Sequence, residues 1–221
     1  MPRTRGGSAS RRRPHPAGGD VRSVREGESR VSEVADAGRT KPTGGAAQSD
    51  PLITHRTGPP GAKPAGHPTH IEPNAADDLR RSLEMENSAA VRLADLGYRI
   101  KQNPTSSEVA EARRTTGDTG DPTKEPDYLL EGRVFDCYAP TNPNKDVRGI
   151  WTEAWIKVVR KEQTQRVLIN LEDWRGDMGA LRQQFVDWPI DGLKEVKTIN
   201  PDGEVVQIAL PRPETGSPDV A

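Results

Sequence analysis

Four side chains in this 221-residue chain have the types and spacing for hydrolytic chemistry on a polyanion: Glu86, Asp127, Asp136 and Lys157. The twelve residues Asp127-Tyr-Leu-Leu-Glu-Gly-Arg-Val-Phe-Asp-Cys-Tyr138 read as two strands joined by a tight turn at Glu131-Gly132. That register sets Leu130 against Arg133, Tyr128 against Phe135 and Asp127 against Asp136. Directly opposed like charges destabilise an antiparallel pair. Two carboxylates that close share a proton or hold a cation. A divalent ion is therefore expected, Mg²⁺ or Mn²⁺ first and Zn²⁺ as a third option, and it points to phosphodiester chemistry. Glu86 would bind the metal or hold one of its waters. Lys157 would orient or deprotonate the attacking water, or neutralise charge developing on phosphorus.

Helices and strands must position these groups. A helix is expected from Ala75, capped by Asn74 and ended by Gly97. On it Leu79, Leu83, Glu86, Ala90 and Leu93 share one face, so Glu86 lies inside an apolar stripe and needs a partner. Tyr98–Gln102 reads as a short strand, and the polar residues 104–126 as a mobile loop. Val147, Ile150, Trp151, Ala154, Trp155 and Val158 mark a second helix, with Lys157 and Lys161 beside its stripe. Arg166–Leu171 is an internal strand, Asp177–Phe185 a short helix, and Glu195–Ile199 and Glu204–Leu210 a hairpin turned at Asn200-Pro-Asp-Gly203. This order predicts an α/β (α+β) fold with a central mixed sheet in three layers.

The acid spacing matches a PD-(D/E)xK-like nuclease core in part. Pro126-Asp127 supplies the first element, but Asp136-Cys137-Tyr138 has no lysine two residues on. Lys157, relocated to the following helix, can occupy the same point in space. Glu131-Gly-Arg133 is a weaker acid-x-base triplet because it lies in the turn. Gln163, Lys161 and Arg133 are candidate substrate contacts, with Arg148 and Arg160 as further phosphate contacts.

Composition divides the chain. Residues 1–72 hold no Phe, Trp or Tyr and are rich in Gly, Pro, Ser and Arg. Such a segment buries too little apolar area to offset its ordering entropy. The expected organisation is a disordered region over 1–73, one domain over 74–211 and a disordered tail over 212–221. Of 32 Lys/Arg and 33 Asp/Glu, residues 1–72 carry 12 and 7, so the lead is basic and the domain acidic. Bare attraction of the domain to nucleic acid is not implied, and local basic patches and bound cations must supply it. All four histidines (His15, His55, His67, His70) fall in the lead, which disfavours histidine-dependent ribonucleases and a His-ligated zinc site. One cysteine, Cys137, rules out an internal disulfide and reads as a small buried hydrophobe. No apolar run is long enough to span a membrane, and no secretory signal is recognisable.

At these residues the chain resembles the C-terminal tRNase toxin domain of CdiA, the contact-dependent growth inhibition protein. The resemblance runs from about Asn74 to Ile208. It rests on Glu86-Asn-Ser-Ala-Ala90, Leu96-Gly-Tyr98, Gln102-Asn-Pro104, Pro126–Asp136, Lys157 with Gln163, and Arg166–Leu171. It implies a PD-(D/E)xK-like core, metal-dependent cleavage of tRNA in a bacterial cytoplasm, and neutralisation by a cognate immunity protein. Carried across, the metal-binding acids would be Asp127 and Asp136, the helix acid Glu86 and the catalytic lysine Lys157. Delivery would use a route without a recognisable signal peptide. The rival readings are a metal-independent ribonuclease of the barnase or colicin type, a DNase on the same core, and a non-enzymatic acidic binding or immunity-type module.

Overall fold

Seven strands form one mixed sheet, ordered along it as they occur in the chain. The computed structural model describes residues 52–212. The expectations for residues 1–51 and 213–221 lie outside the described residues. The strands are β1 (Ala65–Gly66), β2 (Ile100–Gln102), β3 (Tyr128–Leu130), β4 (Arg133–Tyr138), β5 (Arg166–Asn170), β6 (Glu195–Ile199) and β7 (Val205–Ile208). β4, β5 and β6 run parallel, as do β1 and β2, and the remaining neighbours are antiparallel. The helices are α1 (Asp77–Asp95), α2 (Ser106–Thr116), α3 (Val147–Trp155) and α4 (Met178–Asp187).

Alternation along β4, β5 and β6 explains the layers. Phe135, Leu168 and Ile199 join Ala89, Ala90 and Leu93 of α1 in one core. Val167, Ile169 and Val196 point the other way, into Ile150, Trp151 and Ala154 of α3 and Leu181 and Phe185 of α4. The sheet is thus buried on both sides, as the two-sided apolar strands predict. The β3–β4 register is the expected one, with Tyr128 opposite Phe135 and Leu130 opposite Arg133. Glu131 and Gly132 both take positive φ, +50° and +75°, which suits a two-residue hairpin turn. Gly97 ends α1 with φ +91°, and Tyr98 N closes back on Leu93 O.

Three expectations differ from the structure. Residues 104–126 contain α2, whose capping box pairs Thr105 with Glu108. A cap of this kind contributes about 1 kcal/mol, and Val109 and Ala112 then bury against Val134. The polar average of the segment masked a short amphipathic helix. α1 begins at Asp77 after Ala76 rather than at Ala75 after Asn74, and its first turn is solvated, with Leu79 exposed. Finally, residues 52–73 belong to the folded unit. Thr54 is buried against Glu195, Thr57 binds Glu131, Gly58 N and Gly61 N bond the end of α1, and β1 pairs with β2. This strap has no aromatic core of its own; polar bonds to a preformed surface hold it.

Candidate active site

The four chemistry-bearing residues come from four elements and meet at one end of the sheet. Asp136 sits in β4 and is fully buried. Lys157 Nζ lies 2.8 Å from Asp136 Oδ1, while Asp136 Oδ2 is buried with no hydrogen-bond donor. Asp127 directly precedes β3, and its Oδ2 accepts from Cys137 N at 2.7 Å. Asp127 and Asp136 therefore share one side of the hairpin, as the register requires. Glu86 arrives from α1, which packs on the opposite side of the sheet from α3. Tyr128 OH donates to Glu86 O at 2.5 Å and fixes that turn of the helix.

Lys157 follows α3 directly, at the start of a segment that departs from the α-helix. Residues Ile156–Arg160 form a π-turn, closed by Lys161 N to Ile156 O at 2.8 Å. Such bulges recur at functional sites because they re-aim one side chain against the helical phase. Periodicity cannot foresee this, since the apolar stripe continues through Val158 regardless.

Charge is unbalanced here. Burial raises the Asp127 carboxyl well above its ordinary range, and the neighbouring Asp136 carboxylate adds to it. Burial likewise raises Glu86, with Asp136 adding and a hydrogen bond from Thr69 opposing. For Lys157, burial alone would lower the pKa, but Asp136 and Asp127 outweigh it and raise the value. In this arrangement Lys157 Nζ donates to Asp136 Oδ1. The Cys137 thiol is buried and raised by that burial, the inert packing role expected of it.

Three carboxylates faced by one lysine, one of them with an undonated buried oxygen, are the donor chemistry of a hard divalent cation. Among the described residues no three His, Cys, Asp or Glu side chains form a ready-made cage. Asp127 and Asp136 are the residues that could hold such an ion, with Glu86 electrostatically linked to both.

The other candidates are placed elsewhere. Arg133 turns toward Thr54 Oγ1, 3.3 Å away, beside a buried ionic cluster. That cluster comprises Asp118, Arg166, Lys194, Glu195 and Lys197. Gln163 Nε2 donates to Glu125 O at 3.3 Å and Gln163 N to Lys157 O at 2.9 Å, so it braces the π-turn. Arg160, the last residue of that turn, and Lys161, which follows it, are exposed. Arg148 stacks on Trp151 and Trp188, 4.4 and 4.0 Å from the ring centres. Glu131 accepts from Thr57 N, Thr57 Oγ1 and Arg99 N, which accounts for it structurally. Three histidines placed by composition in a disordered lead (His55, His67, His70) instead lie on the folded strap and are exposed. Among the described residues no helix is long and apolar enough to cross a membrane.

An α+β mixed sheet with an acid cluster at its hairpin end defines the class, and comparison with known proteins places the chain within it. Residues 124–205 match the contact-dependent growth inhibition CdiA C-terminal domain family. A solved CdiA-CT/CdiI toxin and immunity complex from Burkholderia pseudomallei is 34% identical, with a TM-score of 0.55, covering 66% of this chain and 98% of that one. This chain belongs to the CdiA C-terminal toxin domain family. It is also 37% identical over 144 residues to tRNA nuclease CdiA-2 of Burkholderia pseudomallei (strain 1026b), covering 65% of this chain and 4% of that much longer protein.

Proposed function

We propose that this chain is the toxin domain of a contact-dependent inhibition system, a metal-dependent endoribonuclease that cuts tRNA in the cytoplasm of a target bacterium and is neutralised by a cognate immunity protein. The observation that carries the chemistry is the buried Asp136 carboxylate, ion-paired through one oxygen to Lys157 and without a donor on the other. The names of the relatives, a tRNA nuclease and a toxin and immunity complex, support the substrate and the partner.

In this reading Asp127, Asp136 and Glu86 hold the cation in a PD-(D/E)xK-like arrangement. A divalent ion bound there would polarise the scissile phosphate and lower the pKa of an attacking water. Asp136 keeps the Lys157 ammonium aimed into the site. Lys157 then stabilises negative charge developing on the phosphate oxygens, which is a donor's task. The hydrogen bond from Cys137 N occupies Asp127 Oδ2 and fixes the carboxyl beside Asp136. The acidic domain gives no bulk attraction for RNA, so recognition rests on shape and on backbone contacts, with exposed Lys161 and Arg160 at the rim.

The test is incubation of the purified full chain with total RNA, with Mg²⁺ or Mn²⁺ and with chelator, followed by fragment mapping. Discrete tRNA fragments that disappear with chelator are expected. Cleavage that survives chelation would favour a metal-independent ribonuclease, for which the strap brings exposed His67 and His70 flanking Thr69, the partner of Glu86. No cleavage with any of Mg²⁺, Mn²⁺ or Zn²⁺ would favour an acidic binding module.

A further inference from the structure

The strap that precedes the family-matched residues ends against Glu86, and we propose that Thr69 is a positioning residue for that acid, with Asn103 behind it. This inference rests on the metal-dependent reading above and adds to it residues outside residues 124–205.

The direction of each hydrogen bond is set by chemistry. Asn103 Nδ2 donates to Thr69 Oγ1 at 3.0 Å and to His67 O at 2.8 Å, which uses both amide protons. With a lone pair so engaged, the Thr69 hydroxyl turns its own proton to Glu86 Oε1. An amide, a hydroxyl and a carboxylate form one polarised chain. Asn103 also donates its backbone N–H to Asp127 O at 2.9 Å. It takes φ +47°, a left-handed backbone that asparagine tolerates better than most residues. One residue therefore ties the strand end that carries Asp127 to the hydroxyl that orients Glu86.

A second set of bonds places Thr69 without using its side chain. Asn87, the helix neighbour of Glu86, accepts from Thr69 N at 2.8 Å and donates to Thr69 O at 2.9 Å. Gln102 Nε2, buried in β2, donates to the same Asn87 oxygen at 3.0 Å. The amide of Asn87 reads the Thr69 peptide as a neighbouring strand would. The backbone anchoring leaves the hydroxyl to Glu86 and Asn103, with Asn103 Oδ1 a longer alternative acceptor at 3.5 Å. The bond to Glu86 Oε1 occupies one oxygen of the carboxylate and restrains that side chain. Outer partners of this kind change metal affinity by about 10–100-fold when removed.

The separation of backbone anchoring from hydroxyl function makes the test direct. Mn²⁺ is titrated calorimetrically into the full-length chain, with RNA cleavage and thermal melting measured in parallel. Thr69→Val, which keeps shape and backbone bonds, is expected to bind Mn²⁺ about tenfold more weakly at an unchanged melting temperature, and Thr69→Ser to stay within about twofold of wild type. Thr69→Val with wild-type Mn²⁺ affinity would overturn the inference while leaving the nuclease reading intact. If Thr69→Val melts early, Asn103→Gly is read instead. Glycine suits the positive φ and removes only the amide, so weaker Mn²⁺ binding is expected, and wild-type affinity would again overturn the inference. A wild-type chain that neither binds Mn²⁺ nor cleaves RNA overturns both readings together.

Discussion

Two buried ionic clusters sit in this sheet, and they are opposites. In the first, Asp118, Arg166, Lys194, Glu195 and Lys197 gather where β5 and β6 begin. Arg166 donates to Asp118 at 3.1 Å, to Glu195 at 2.8 Å and to Leu52 O at 2.6 Å. Lys194 completes Asp118, while Lys197, Thr54 N and Thr54 Oγ1 complete Glu195. In the second, Glu86, Asp127 and Asp136 share one lysine, and an oxygen of Asp136 has no donor. The first cluster sets two carboxylates among three cations and bonds both oxygens of each acid, which is how buried charge is tolerated in a core. The second carries surplus negative charge in a dry place. A fold sustains that at a site where something else is to bind.

The comparison breaks first at Asp136. Asp136→Asn is expected to lower RNA cleavage by on the order of 10³-fold, the equivalent of several kcal/mol of lost charge stabilisation. Its urea midpoint should change little, because easing the crowding of the raised Asp127 and Glu86 carboxyls offsets the lost partner of buried Lys157. A large loss of stability in this variant would mean that the acid cluster is structural. Arg166→Ala is the converse. It takes the shared cation from two buried carboxylates, leaving each with one lysine, and should cost about 3 kcal/mol in urea unfolding, while activity per folded molecule is kept.

Acid sharpens the contrast. Burial would raise the Asp118 carboxyl, but hydrogen bonds from Arg166 and Lys194 outweigh it and hold it below the ordinary 3.8. Its folded pKa is therefore lower than its unfolded one. The stability it contributes is full above about pH 4 and is lost as pH falls through the folded value. Asp118→Asn should flatten that acid limb in pH-dependent melting; an unchanged limb would remove Asp118 from the account. The smallest effect separates two neighbouring lysines. Lys157→Met should cost roughly 10²-fold in cleavage, whereas Lys161→Ala, exposed beyond the π-turn, should stay within about twofold. The reverse order would put the wrong ammonium at the phosphate.

Much of this was legible in the chain, and for local reasons. The Glu131-Gly132 turn and the alternation around it set the β3–β4 register, and the register alone opposes Asp127 and Asp136. The apolar stripe of α3 continues to Val158 and so placed Lys157 at the end of that helix. The strap was hidden because residues 52–73 have no apolar pattern and are held by single polar bonds, such as Thr54 to Glu195 and Thr69 to Glu86. α2 was hidden by averaging, although Thr105-x-x-Glu108 is a readable capping box. Arg133 was chosen for a charge that suits a phosphate, and nothing local reveals Thr54 beside it.

Short-range order, then, came from the sequence by itself: which segments pair, where the chain turns, which acids share a strand face. Periodicity and turn chemistry act over a few residues and need no knowledge of the rest. Only the tertiary structure decided which charges are matched and which are left over. That balance depends on partners brought from up to 141 positions away, as Thr54 is to Glu195, and on a π-turn that departs from the helical period. Burial turns these placements into energy, because a buried charge costs several kcal/mol unless its partner is in reach.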